Sequence, residues 1–111
     1  METALTVRAR NRERMDRLLE THDFVLSTSI PFTAPTVQQW IDNWKDGGSF
    51  APYYTSETFM FNWLQLPAIS VPVGFHDGMQ IVGLPDSEPR MIQVAHAFMQ
   101  KFGQQLRPTV S

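Results

Sequence analysis

Apolar and polar positions along the chain follow two different periods. From Leu66 the run Leu66-Pro67-Ala68-Ile69-Ser70-Val71-Pro72-Val73-Gly74-Phe75 is followed, after His76-Asp77, by Gly78-Met79-Gln80-Ile81-Val82-Gly83. Both runs are short, apolar and rich in β-branched residues, which predicts strands at 68–73 and 79–83. The connection Gly74–Gly78 is too short for a crossover, so the pair should run antiparallel. Pro72 has no N–H to donate and belongs at a strand end or on an unpaired side. Asp23-Phe24-Val25-Leu26-Ser27-Thr28 reads as a further strand over 23–28.

The helical period governs the rest. Within 1–22, residues 4–21 bring Leu5, Ala9, Met15, Leu18 and Leu19 near one face, with Thr3 placed to cap the start. The opposite face holds Arg8, Arg10, Arg12, Arg14 and Arg17 interleaved with Glu13, Asp16 and Glu20. Mixed signs, with Glu13 and Arg17 four residues apart, describe a solvated face and not a basic patch. Pro31 and Pro35 interrupt regular structure, so 29–55 is expected to be loop-rich, with a short helix near 37–44 that sets Trp40 and Trp44 on one side. Asp46-Gly47-Gly48-Ser49 is a turn signal, and Phe50–Tyr54, broken by Pro52, reads as an aromatic loop. A helix over 56–64, capped by Ser56 and carrying Phe59, Met60, Trp63 and Leu64, is apolar nearly all round and should be buried. The last helix, 86–103, has Asp86 or Ser87 at its cap, Pro89 in its first turn and Gly103 at its end. Its stripe of Met91, Val94, Ala95, Phe98 and Phe102 should cover the strand pair. Residues 104–111 form a tail.

Composition narrows the class. A chain of 111 residues makes one domain, and 42% hydrophobic with 18% charged residues describes a folded chain. A net charge of −2 gives no reason to expect a nucleic-acid partner or an anionic membrane. No apolar run reaches the about 20 residues that cross a bilayer, and the N-terminus lacks a signal-peptide core, so a cytoplasmic protein is expected. The absence of cysteine rules out disulfides, zinc–thiolate centres and thiol nucleophiles.

Isolated polar residues carry little chemistry. His22, His76 and His96 have no helical spacing to one another, and no metal or cofactor motif is present, so no cofactor is expected. His76 beside Asp77 fits a solvent-facing turn better than an acid–base pair. Asp86 and Glu88 fit a helix start. Lys45 lies near Ser49, but nothing third supports a Ser–Lys dyad.

Taken together, Phe61-Asn62, Leu66-Pro67-Ala68, Ile69-Ser70-Val71-Pro72-Val73-Gly74-Phe75 and Gln80-Ile81-Val82-Gly83 resemble the C-terminal segment of the amidase signature family, which includes amidases and a glutamyl-tRNA amidotransferase subunit. The arginine-rich helix before Asp23–Thr28 and the run Val94–Phe98 follow the same order. The resemblance implies an α/β fold, with a small mixed sheet of about three strands covered by helices, and makes 1–111 a single partial domain of the parent fold. It implies a hydrolase family whose Ser–cisSer–Lys triad lies outside the matching segment. This chain would then supply sheet and pocket wall, with no catalytic residues of its own and no turnover alone. Tyr54, Thr58, Phe59 and Asn62 match the pocket side. Two departures stand out: Gln65 replaces the family glycine before the Pro-Ala turn, and the strand connection lacks a Leu-Pro-Val-Gly insert. Expected partners are a second copy or a complementary catalytic fragment, with a small amide as the parent family's substrate. The alternative is a stand-alone interaction or dimerisation module, and an unrelated small enzyme using His76 and Asp77 is a third class.

Overall fold

In the computed structural model seven elements follow in the order α1 (Ala4–Thr21), β1 (Val25–Thr28), α2 (Val37–Lys45), α3 (Phe50–Trp63), β2 (Ala68–Pro72), β3 (Gly78–Val82) and α4 (Glu88–Phe102). The structure describes residues 1–30, 33–48, 50–74 and 77–103, and the side chains of all of these except 50–54. The chain is α/β, as its sequence predicts. The sheet order is β1-β3-β2. Both pairings are antiparallel, so the parallel component of a mixed sheet is absent among the described strands.

Register fixes which residues share a face. Gln80 lies opposite Ser27 on one side and Ser70 on the other, and Val82 lies between Val25 and Ala68. Because side chains alternate along a strand, these residues form one face, while Leu26, Ile69, Val71, Met79 and Ile81 form the other. The first face packs Val82 against Phe61, Leu64 and Leu66, with Met15 and Val25 alongside. The second packs Val71 and Ile81 on Ala95, flanked by Phe24, Phe98 and Met99. The central strand is therefore enclosed from both sides, and Ile81 and Val82 are fully buried.

Helix α3 differs most from expectation. It begins at Phe50, not Ser56, so Phe50–Tyr54 is helical and Ser56 lies inside the helix. Pro52 is tolerated because it falls in the first turn, where the amide has no intrahelical acceptor. Burial is one-sided: Phe61 and Leu64 are enclosed, whereas Phe59 and Met60 are 61% and 45% exposed. Helix α2 forms because Thr36 and Gln39 make a reciprocal capping box, with Thr36 Oγ1 accepting from the Gln39 amide and Gln39 Oε1 from the Thr36 amide. In α4, Met91 and Ala95 are buried but Val94 and Phe102 are largely exposed. Ser87 precedes α4 without a side-chain cap, because its hydroxyl donates to the Leu84 carbonyl at 2.6 Å.

The end of α3 explains the departure at Gln65. Its φ is 57°, in the left-handed region. The Leu66 amide donates to the Phe61 carbonyl and the Gln65 amide to the Asn62 carbonyl, both at 3.0 Å. This is a Schellman closure, and Phe61 and Leu66 complete it by sharing a hydrophobic cluster. Glycine is the residue this position favours. A helix terminus leaves carbonyls unpaired, and here Arg12 supplies a donor: its Nη1 reaches the Leu64 carbonyl at 2.9 Å, while Nε holds Asp16 at 2.9 Å. Arg12 thus leaves the solvated face predicted for the arginines, and it ties α1 to α3. Arg17 stays on that face, paired with Glu13 at 2.9 Å.

Two stability effects follow. Gln65→Gly removes the cost of a side chain in left-handed backbone, about 1–2 kcal/mol, against a loss of unfolded-chain restriction of about 0.5–1 kcal/mol, so it should stabilise modestly. Arg12→Ala should cost about 1–2 kcal/mol through the unpaired Leu64 carbonyl, and Arg17→Ala within about 0.5 kcal/mol. Urea unfolding of the three variants and the parent measures both; equal losses for the two arginines would contradict the capping role.

Candidate functional site

A cavity of about 190 Å³ opens between α3 and the first face of the sheet, lined by Ser29, Thr58, Phe61, Asn62, Ala68, Ile69, Ser70 and Gln80. Thr58 and Asn62 come from α3 one turn apart, which puts them on the same helix face. Ser70 and Gln80 come from β2 and β3 as cross-strand partners. Ser29 continues β1 by one residue, its amide donating to the Gly78 carbonyl at 2.8 Å.

Gln80 is buried, and its amide nitrogen reaches three oxygens: the Glu57 carbonyl at 2.8 Å, the Thr28 carbonyl at 3.1 Å and Ser27 Oγ at 3.4 Å. The carboxamide is fixed in this orientation, since swapping its oxygen and nitrogen would set an acceptor against two carbonyls. This one side chain binds β1, β3 and α3 together. Nearby, the hydroxyls of Ser29 and Ser70 lie 2.7 Å apart, bridging the two edge strands. Gly78 makes room for them, since a Cβ there would sit 2.9 Å from Ser29 Oγ and 3.1 Å from Ser70 Oγ.

The predicted pocket residues separate. Thr58 and Asn62 line this cavity; Phe59 points away into solvent; the Tyr54 side chain lies outside the described residues. Sequence reasoning passed over Ser29, Ser70 and Gln80 as site residues. A signal existed for Gln80, a lone polar residue inside the apolar run Met79–Gly83, but Ser29 is brought in only by the tertiary pairing of β1.

Among the described residues the cavity's lining has no lysine, histidine or carboxylate. Lys45 lies on α2, 4.0 Å from Asp42, and Ser49 and His76 lie outside the described residues. Among the described residues no group of three or more His, Asp or Glu side chains could hold a metal ion, and no helix is long and apolar enough to cross a membrane.

These features define a class: an α/β sheet unit with a cavity whose described lining sets hydroxyls and amides beside apolar groups and includes no acid–base side chain. Residues 1–92 match the family model described as Amidase, and the chain belongs to that family. Its relatives include a glutamyl-tRNA(Gln) amidotransferase subunit of Synechococcus sp. (strain CC9605), 35% identical over 103 residues that make up 87% of this chain and 20% of the relative. The corresponding protein of Symbiobacterium thermophilum is 32% identical over 89 residues, 75% of this chain and 17% of the relative. That of Methanosarcina acetivorans is 31% identical over 101 residues, 86% and 20% respectively. The chain spans about a fifth of the length of the curated relatives it matches. No solved structure matches it.

Gly78→Ala should force Ser29 and Ser70 apart and destabilise the chain by about 1–3 kcal/mol, the usual range for overpacking. Gln80→Leu should cost about 1–3 kcal/mol, because it removes the buried carboxamide whose nitrogen donates to carbonyls of both α3 and β1. Denaturant midpoints read both, and a Gln80→Leu loss no larger than that of an exposed substitution such as Gln93→Leu would contradict the clamp.

Proposed function

We propose that this chain supplies the sheet and part of the pocket wall of an amide hydrolase whose nucleophile and base are carried elsewhere, and that it does not hydrolyse amides alone. The observation that supports this most is the cavity: Ser29 and Ser70 are hydroxyls whose described surroundings in the lining hold no lysine or histidine. A serine in that state is a weak nucleophile, since nothing takes its proton. Its partner in this reading is a complementary amidase piece carrying the family's Ser–cisSer–Lys core.

The surface agrees with a partner. The described surface exposes Leu5, Phe59, Met60 and Ile92, large apolar side chains spread over three helices. A second reading, self-association without catalysis, is favoured by α2. There Trp40, Ile41 and Trp44 with the stem of Lys45 line an open apolar groove of about 440 Å³.

Ammonia release from aliphatic and aryl amides tests the first reading. The expected result is no turnover above a protein-free control, and turnover on mixing with an amidase piece that lacks the matching segment. Turnover by the chain alone that disappears on substituting Ser49 or Lys45 would overturn it. Light scattering separates the second reading, which requires a dimer or larger species that Trp44→Glu returns to monomer.

A further inference from the structure

We infer that a second cavity, between α1 and the end of α3, is a binding site for a small carboxylate on a short apolar stem, and that Gln65 is one of the residues that hold it. The cavity measures about 200 Å³ and is lined by Leu5, Arg8, Ala9, Arg12, Leu64 and Gln65. It shares no lining residue with the cavity against the sheet, and the inference rests on no catalytic partner. Leu5, Arg8, Ala9 and Arg12 recur at spacings of three and four, so they form one stripe of α1. All six lining residues, and the chain on either side of each, are described.

Charge is the first observation. Arg10, Arg12 and Arg17 are each paired with an acid: Glu2, Asp16 and Glu13. Arg8 is half-buried, yet its guanidinium has no hydrogen bond or ion pair among the described residues. Its five N–H donors are open to a ligand. Arg12 commits Nε to Asp16 and Nη1 to the Leu64 carbonyl, both at 2.9 Å, which leaves Nη2. Asp16 offsets one of the two cations, so one positive charge in the lining stays unbalanced. A single negative charge matches it, and a carboxylate has the planar pair of oxygens that a guanidinium fork accepts best.

The second observation is the strained residue. Gln65 holds φ 57°, where glycine is favoured, and its exposed carboxamide has no hydrogen bond among the described residues. The helix closure at this point uses backbone groups, so the Gln65 side chain takes no part in it. Backbone strain of this kind collects at ligand contacts. Here the carboxamide lines the same cavity as the two guanidiniums and adds a neutral N–H donor for a carboxylate oxygen. Leu5, 72% exposed, and Ala9 give the stem an apolar side. A volume of about 200 Å³ holds about six waters' worth of matter, which suits a molecule of about six heavy atoms binding at millimolar concentration.

Titration of the ¹⁵N-labelled full chain at low salt, where screening is weakest, tests this with butyrate, butyramide and inorganic phosphate. Butyrate should shift the Arg8 and Arg12 Nε–H signals along one saturating curve, and butyramide should leave them in place. Arg8→Gln should weaken butyrate about tenfold, the loss of a charge-assisted hydrogen bond, whereas Arg14→Gln, an exposed arginine of the same helix outside the lining, should leave the affinity unchanged. Gln65→Gly should weaken butyrate about threefold while raising the urea midpoint. Those opposite signs separate binding from folding, since a side chain with a structural role alone would move only the midpoint. Saturation by butyramide, no saturation by butyrate, tighter binding of phosphate than of butyrate, unchanged affinity in Arg8→Gln or Gln65→Gly, or an equal loss in Arg14→Gln would overturn the assignment.

Discussion

The Gln80 carboxamide is the constraint on which the arrangement depends. It lies on the central strand, and its nitrogen donates at once to β1 through Thr28 and to α3 through Glu57. Apolar contacts between Val82, Phe61 and Leu64 hold α3 against the sheet but tolerate sliding, since the hydrophobic effect has no direction. Hydrogen bonds have direction, and the two from the Gln80 nitrogen hold only at one setting of α3 against β1 and β3. Register, helix height and the width of the cavity are set together by that side chain. The Ser29–Ser70 bridge over Gly78 then fixes the far end of the sheet.

Much of this was readable from residue order. The strand pair, its antiparallel sense, the final helix and the first helix with its Thr3 cap all follow from period and punctuation, because each depends on neighbours close in sequence. What was not readable depends on distance. Arg12 looked like one of five equivalent arginines until α3 ended beside it, 52 residues later. Pro52 looked like a helix breaker, although a first-turn proline removes no bond. Burial of α3 was overestimated because its composition is apolar all round, whereas this chain covers only the Phe61–Leu64 side. At the site, Thr58 and Asn62 were legible through family resemblance, but Ser29 and Ser70 meet across 41 residues and carry no local signal.

The chain is a slab 16 Å thick and 44 Å across, with a Cα radius of gyration of 16.7 Å against about 13 Å for a compact chain of this length. Three strands with one helical layer on each side enclose β3 well and the edges poorly: Leu26 on β1 is 59% exposed on the face that α4 covers elsewhere. Any partner that covered Phe59, Met60 or Ile92 would also raise the chain's resistance to unfolding.

The geometry also separates holding from reacting. Hydroxyls and amides can orient a neutral molecule without activating it, since orientation needs only matched donors and acceptors, whereas attack needs a group that takes a proton. In this chain such donors and acceptors are carried by Gln80 on β3 and by Thr58 and Asn62 on α3. Attack needs a lysine or histidine near Ser29 or Ser70; among the described residues none lines the cavity, and Lys45 lies on the α2 surface beside Asp42. The enclosed core and the polar cavity thus share one wall. A substitution that introduced a base there would have to place a charge beside Gln80 and Phe61, where desolvation would oppose it. Burial of Gln80 and Phe61 makes this wall a poor place to build a nucleophile.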